Sequence, residues 1–468
     1  MTGVFFKKNQ WFMSLALIGI IVLSLIIVIS YNKSPSIRVK PAYVIEKELE
    51  IEEGVKTWIK AFEKYGDQVI HSIRQTQDGG YIAVGILGRN GIESSTGRQA
   101  PDAYLLKLDS DGNEVWGKNI GVKSGSGSIA QDVQQTSDGG YIIVGMTVAY
   151  LRLDTSWDVY LVKTDENGNK IWENGFYLFK AGPENDWAYS VQQTFDGGYI
   201  VGGTTNAFFG TTNAFPPNAE AFLLKIDKYG NKTWEKNYGG DGMEDVRSAQ
   251  QTSDGGYIMA GTTWSYNQTK LEDTQVYLVK TDADGNKMWE RVIDAFDKHE
   301  QDGISSIQQT SDGGYIMAGN TICDIVSNSG CSYLLKVDKD GNKIWENSYE
   351  NCEASFLHHV QQTSDGYIAV GNAGGEECVG RHSSGVNLLK IDKNGNKMWE
   401  KNFGWYNAAN ETGEPDKGVS VRGYSVQQTS DGGYVIAGEA HISSSPPWQN
   451  EIFLIKTDRN GNVYGYKE

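Results

Sequence analysis

The nine residues "QQTSDGGYI" stand at Gln134–Ile142, again at Gln250–Ile258 and again at Gln308–Ile316, and four looser copies accompany them. Marked by its aspartate, the phrase recurs at Asp78, Asp138, Asp196, Asp254, Asp312, Asp365 and Asp431, at intervals of 53 to 66 residues. A second phrase alternates with it. It reads "YLLKLDSDGNEVW" from Tyr104, "YLVKTDENGNKIW" from Tyr160, "FLLKIDKYGNKTW" from Phe222, and lastly "FLIKTDRNGNVYG" from Phe453. A fixed period of this kind takes precedence over local signals, because each unit buries its apolar faces only against its neighbours.

Four short strands fit in one unit. Strand A is "SVQQT", the turn "SDGG" leads to strand B, "GYIMAG", and a variable loop leads to strand C, "VYLVKTD". The turn "DADGN" then leads to strand D, "KMWER". Asp-Gly and Gly-Asn pairs between β-rich runs are hairpin signals. Near-continuous apolar runs in B and C are expected where both sheet faces are covered. Seven four-stranded units predict an all-β, seven-bladed β-propeller of four-stranded blades. Six units end in a tryptophan strand, at Trp116, Trp172, Trp234, Trp289, Trp345 and Trp399, whereas the seventh has Tyr464 there. The segment "KTWIKAFEKYG" around Trp58 precedes the first strand A without a blade of its own. It is expected to complete the last blade and close the ring, which removes the exposed sheet edges of an open one.

The pattern "SVQQTSDGGYI…YLVKTDxxGNxxW" resembles the β-propeller repeats of prokaryotic cell-surface and secreted proteins, and it covers nearly everything after residue 56. That family is mostly without an assigned activity, and some members carry glycan-degrading labels such as endoglucanase. The C–D hairpin is also similar to the Asp-box turn of sialidases and the tryptophan-docking turn of quinoprotein dehydrogenases. Both are structural features, and a shared fold transfers no reaction.

Composition agrees with the fold. The 468 residues hold 56 Gly and 9 Pro, with 25 Tyr and 13 Trp, and the formal charge is −17. An acidic surface repels phosphate backbones, so nucleic acid is not an expected partner. The N-terminal region differs. Residues 1–10 read as a short cytoplasmic segment, and 11–30 ("WFMSLALIGIIVLSLIIVIS") as a transmembrane signal anchor. At 1.5 Å per residue an uncharged run of that length spans about 30 Å, the thickness of a bilayer core. Signal-peptide cores are shorter, which favours a retained single-pass helix, with secretion after cleavage as the alternative. Residues 31–55 read as an acidic stalk and 56–468 as the propeller, placed outside the cell because long domains cross largely regardless of flanking charge.

The repeated turns suggest calcium, but an EF-hand loop needs Gly sixth and Glu twelfth, and here Gly comes fourth. Asp side chains capping their own turns account for the pattern. Lys107/Asp109, Lys163/Asp165 and their equivalents, two apart on one strand face, read as lysine stems packed along the blade rather than acid–base pairs. The seven-fold phrases therefore read as scaffold.

Variation falls on the other face, in the B–C loops and the D–A links. The step from strand-D Trp to strand-A Val is 17 residues from Trp116 to Val133 and 27 from Trp399 to Val426. Variable loops on a rigid scaffold are where binding usually lives. Five tryptophans outside the blade pattern lie in these segments: Trp157, Trp187, Trp264, Trp405 and Trp448. With Asp186, Glu244, Asp245 and Asp302 they are the candidate ligand-binding residues, aromatic platforms beside carboxylates suiting a glycan. Packing of the aromatics against the blades is the plain alternative. Cys323, Cys331, Cys352 and Cys378 share the region and are candidate disulfides, pairing 323–331 and 352–378. No metal site or cofactor motif is found. His358 and His359 are expected on opposite strand faces, with His71 matching His358 in another blade.

These observations predict a monomeric, membrane-anchored extracellular binding module for a polysaccharide or a surface protein. A glycan-acting hydrolase using carboxylates on the same face is the second expectation, and a structural envelope protein the third.

Overall fold

In the computed structural model, the described residues are 55–62, 67–88, 101–122, 127–148, 156–176, 178, 185–207, 219–240, 242–265, 274–295, 302–324, 329–349, 355–374, 384–404, 420–442 and 449–464. The candidate anchor, the stalk up to residue 54, and Trp405, Trp448, Cys352 and Cys378 lie outside them, as does the side chain of Cys323. Among the described residues there are 28 strands and no α-helix, and the strands form seven four-stranded antiparallel sheets. No described helix is long and apolar enough to cross a membrane.

Six sheets take their strands in chain order, A to D. The seventh is built from the two ends of the chain. Its strands A, B and C are Ser420–Gln428, Tyr434–Ile442 and Gln449–Thr457, and its strand D is Trp58–Phe62, antiparallel to strand C from Trp58↔Lys456 to Phe62↔Ile452. The expected closure is present. Lys56 pairs with Asp111 at 2.6 Å and the Lys60 ammonium donates to the Asn113 side chain, which ties this strand to the next blade.

Each strand-D tryptophan wedges against the following blade. Trp116 meets Tyr141 edge-on at 6.3 Å, and Trp58 meets Tyr81 at 5.8 Å across the closure. The wedge dictates the turn residue beneath it. A Cβ on Gly168 (φ 72°) would lie 2.6 Å from the Trp116 ring, so the glycine is required by contact as well as by its left-handed backbone. Strand-B and strand-C side chains fill the spaces between sheets, with Ile82, Val84, Leu105, Ile143 and Tyr160 in one such layer.

The phrase "QQTSDGG" joins blades through hydrogen bonds running both ways. The first glutamine accepts from the next blade, as Gln193 N donates to Gln134 Oε1 at 2.6 Å. The second accepts from the turn of the preceding blade, as Ser137 N donates to Gln193 Oε1 at 2.8 Å. The same bonds cross the closure from Gln75 N to Gln427 and from Ser430 N to Gln75. The turn aspartate anchors the strand-C lysine. Lys107 Nζ lies 2.8 Å from Asp78, Lys163 3.0 Å from Asp138 and Lys390 2.6 Å from Asp365, and every blade repeats the pair. Burial opposes ionisation of Asp78, but the Lys107 ammonium, the Thr76 hydroxyl and the Gly80 N–H together hold its carboxyl down at about 2. The lysine's partner is thus the A–B turn and not the Asp two residues on. Asp109 instead caps its own turn, accepting from Asp111 N at 2.9 Å and Asn113 N at 2.8 Å.

Candidate functional site

The innermost strands A carry one irregularity in common. In every blade the pairing with strand B slips by one residue, leaving an extra residue at His71, Gln131, Tyr189, Arg247, Ser305, His358 and Tyr424. The cause lies in strand B, four residues after its first tyrosine. A Cβ on Gly85 would sit 1.8 Å from Val69 O and one on Gly261 2.0 Å from Asp245 O, and the same glycine recurs in all seven blades. Strand A presses onto this bare backbone and bulges one residue later. Bulges bend strands and re-aim side chains, and they are over-represented beside active sites.

The seven bulge residues form a ring about the axis. Each keeps water contact, while the residue before it and the residue two after it are buried in every blade. Contacts between blades define the ring. Tyr424 lies edge-on to His71 at 6.1 Å and tilted against His358 at 5.3 Å, and the Arg247 guanidinium sits over the Tyr189 ring at 5.0 Å. Two residues earlier, a second layer of Trp187, Asp245, Phe356 and Arg422 stands toward the D–A links. Trp187 meets Tyr189 at 6.1 Å, and Asp245 pairs with Arg247 through Nε and a terminal nitrogen, both at 2.8 Å. Scaffold positions repeat seven-fold, whereas these two layers hold aromatic, cationic, anionic and imidazole groups.

Most polar groups around the ring are partnered, the buried Nδ1 of His359 being an exception. The Tyr424 hydroxyl donates to Glu439 Oε1 at 2.7 Å, and Arg422 pairs with the same carboxylate at 3.3 Å. His71 Nδ1 donates to Ala130 O at 2.8 Å, leaving Nε2 as an acceptor. Asn372 Nδ2 donates to His358 Nε2 at 2.9 Å, which places the proton on Nδ1. Burial lowers His71 as well as His358, the latter to about 4 with help from Arg247 and Arg422. Burial also lowers His359, to about 3. All three are neutral near pH 7. No group of three or more potential metal ligands occurs among the described residues.

Trp187 and Asp245 occupy equivalent second-layer positions in neighbouring blades, linked through Tyr189 and Arg247. The other candidates serve the loops. Asp186 is buried and accepts from Leu178 N at 3.1 Å, and Asp302 is buried and accepts from Ala295 N at 2.8 Å. Glu244 is buried, accepts from Thr263 Oγ1 at 2.8 Å and from Ser265, and has its carboxyl pushed up by burial. Trp157 and Trp264 are half-buried, at the start of a strand C and just beyond a strand B. Cys331 is buried and disulfide-bonded. A cleft of about 420 Å³ lies at the outer rim between the first two blades, lined by Asp102, Asn119, Lys170, Trp172 and Glu173. Its Lys170–Glu173 pair recurs as Lys232–Glu235 and Lys287–Glu290, so it belongs to the scaffold.

His71, Tyr189, Arg247 and Tyr424 were not among the candidates from sequence. Their signal is the strand-B glycine, since an isolated glycine inside a strand marks a bulge or a close backbone approach.

No family model matches the chain, and no curated protein matches it. Among solved structures, a variant of the NanB sialidase from Streptococcus pneumoniae is similar over 86% of this chain and 70% of its own, at 10% identity and a TM-score of 0.45. Sqt1 from Chaetomium thermophilum is similar over 84% and 96%, at 11% identity and a TM-score of 0.38. A putative exo-beta-1,3-galactanase from Bifidobacterium bifidum s17 is similar over 60% and 92%, at 14% identity and a TM-score of 0.33. At these values the likenesses carry nothing about individual residues or chemistry.

Proposed function

We propose that this chain is a binding module for a polysaccharide, taken at the axial mouth where the two variable layers of the strands A open toward the D–A links. One observation carries the reading: seven blades share one backbone irregularity, yet place seven largely different polar and aromatic side chains upon it. A purely structural ring would repeat its residue as the scaffold repeats its glutamines. Side chains that differ on one rigid frame are suited to an asymmetric ligand. Residues 11–30 anchor the propeller to a membrane with the large domain outside, and the Cys331 disulfide suits that oxidising side. The propeller acts as a monomer in this reading.

Hydrolysis is the weaker reading. Two carboxylates must face a scissile bond at a set separation. Asp186, Glu244 and Asp302 are committed to loop hydrogen bonds, and Asp245 and Glu439 each hold an arginine. The test is a screen of the full-length chain, in detergent micelles, on an oligosaccharide and polysaccharide array. Trp187→Ala and Arg247→Ala are expected to lose the signal, while Trp157→Ala and Trp264→Ala keep it. Silence from a folded wild type, with capture of a surface protein instead, would replace the glycan with a protein partner.

A further inference from the structure

Every arginine on an inner strand that reaches the axis already holds a carboxylate. Arg247 is clamped by Asp245, Arg422 by Glu439 at 3.3 Å, and Arg74 by Asp132 at 3.4 Å. The three imidazoles nearby are neutral. The described axis therefore presents charges in compensated pairs. From this pairing we infer that the ligand is an uncharged saccharide and not an acidic one, such as a uronate or other carboxylated sugar. The inference rests on the binding reading above and narrows it.

An incoming carboxylate would need one of those guanidiniums. Taking Arg247 would displace Asp245, or hold two carboxylates against one cation, and like charges in a partly desolvated site repel strongly. The guanidinium's stacking on Tyr189 also fixes it in place, so it cannot swing to a new partner without losing that contact. Sugar hydroxyls make no such demand. Each donates one hydrogen bond and accepts others, and the site offers both kinds. The Asp245 carboxylate and the Nε2 of His71 accept, while Ser305, Gln131 and the outer edges of the arginines donate. A hexose face suits the part of the half-buried Trp187 ring that stays in contact with water.

The test uses the full-length chain in micelles and matched probes: neutral hexose oligomers, such as mannohexaose and cellohexaose, and their C6-oxidised uronate counterparts. The wild type is expected to bind the neutral member at least about tenfold tighter. Asp245→Asn leaves Arg247 without its counter-charge, and it is expected to narrow that ratio by about tenfold, the worth of one hydrogen bond to a charged group. Glu439→Gln repeats the experiment at Arg422, and thermal melting shows whether each variant is folded. A wild type that prefers the uronates, or a preference unmoved in folded Asp245→Asn and Glu439→Gln, overturns the inference while leaving glycan binding in place. Binding of neither class removes the binding reading and the inference with it.

Discussion

The turn face and the axis of this propeller are built by the same seven strands A, yet they follow opposite rules. At the turn end, glutamine, threonine and aspartate recur blade after blade; the glutamines make the same bonds to the neighbouring blades, and the threonine and aspartate the same bonds within their own blade. Four residues earlier the backbone is just as regular, bulged against a glycine each time, but the side chains are His, Gln, Tyr, Arg, Ser, His and Tyr. The scaffold repeats where it bonds blade to blade and differs where it faces the axis. A bulge does both tasks: it is fixed by a backbone contact, and it leaves the side chain free to differ.

The contrast can be broken most sharply on the scaffold side. Trp289→Ala empties the wedge against Tyr315 and is expected to cost about 4 kcal/mol in urea unfolding, without altering ligand preference. Asp312→Ala strands the buried Lys336 ammonium and is expected to cost about 3 kcal/mol, at the low end for a broken pair because the aspartate is half exposed. Gly261→Ala tests the link between the two regions. Its Cβ would strike Asp245 O, with an expected cost of about 2 kcal/mol and a loss of binding as Asp245 and Arg247 shift. A Gly261→Ala protein that binds normally would separate the bulge from the site.

The pH dependence divides along the same line. His358 and His359 titrate at about 4 and about 3 in the folded chain, below the 6.5 of the unfolded one. Depressed values mean that the unfolded chain binds more protons, so their contribution to stability is full above about 6.5 and is lost as the pH falls toward 4. The turn aspartates act lower, Asp78 and Asp196 losing theirs between 3.8 and about 2. Urea unfolding from pH 7 to pH 4 is expected to show proton uptake that His358→Gln reduces by about one proton. The smallest stability effect belongs to the ring itself. Tyr189→Ser is expected to cost about 1 kcal/mol, as a partly buried position that gives up its packing on Trp187 and Arg247, while weakening ligand binding.

Much of the fold could be read directly from residues. Asp-Gly turns, the tryptophan period and the stray Trp58 segment predicted the blades and their closure, because each is a local rule repeated seven times. Asp245 and Trp187 were named from the sequence, as an acid and an aromatic beside a variable link. Tyr189, Arg247 and Tyr424 were not, since strict alternation misplaces a residue that a bulge adds. The lysine partners escaped for a different reason: Asp78 sits in the A–B turn 29 residues before Lys107, and the sequence read the lysine only as a stem packed along the blade.

The proposed function puts ligand binding in the bulge ring and not in the repeated scaffold. It is tested most directly by giving the ring one residue throughout, with His71, Gln131, Tyr189, Arg247, His358 and Tyr424 all changed to the serine already present at position 305. Melting temperature and glycan-array binding of the full-length chain are then compared with wild type. The expected result is a folded propeller that has lost its glycan. Retained binding on a folded, serine-ringed propeller would contradict it.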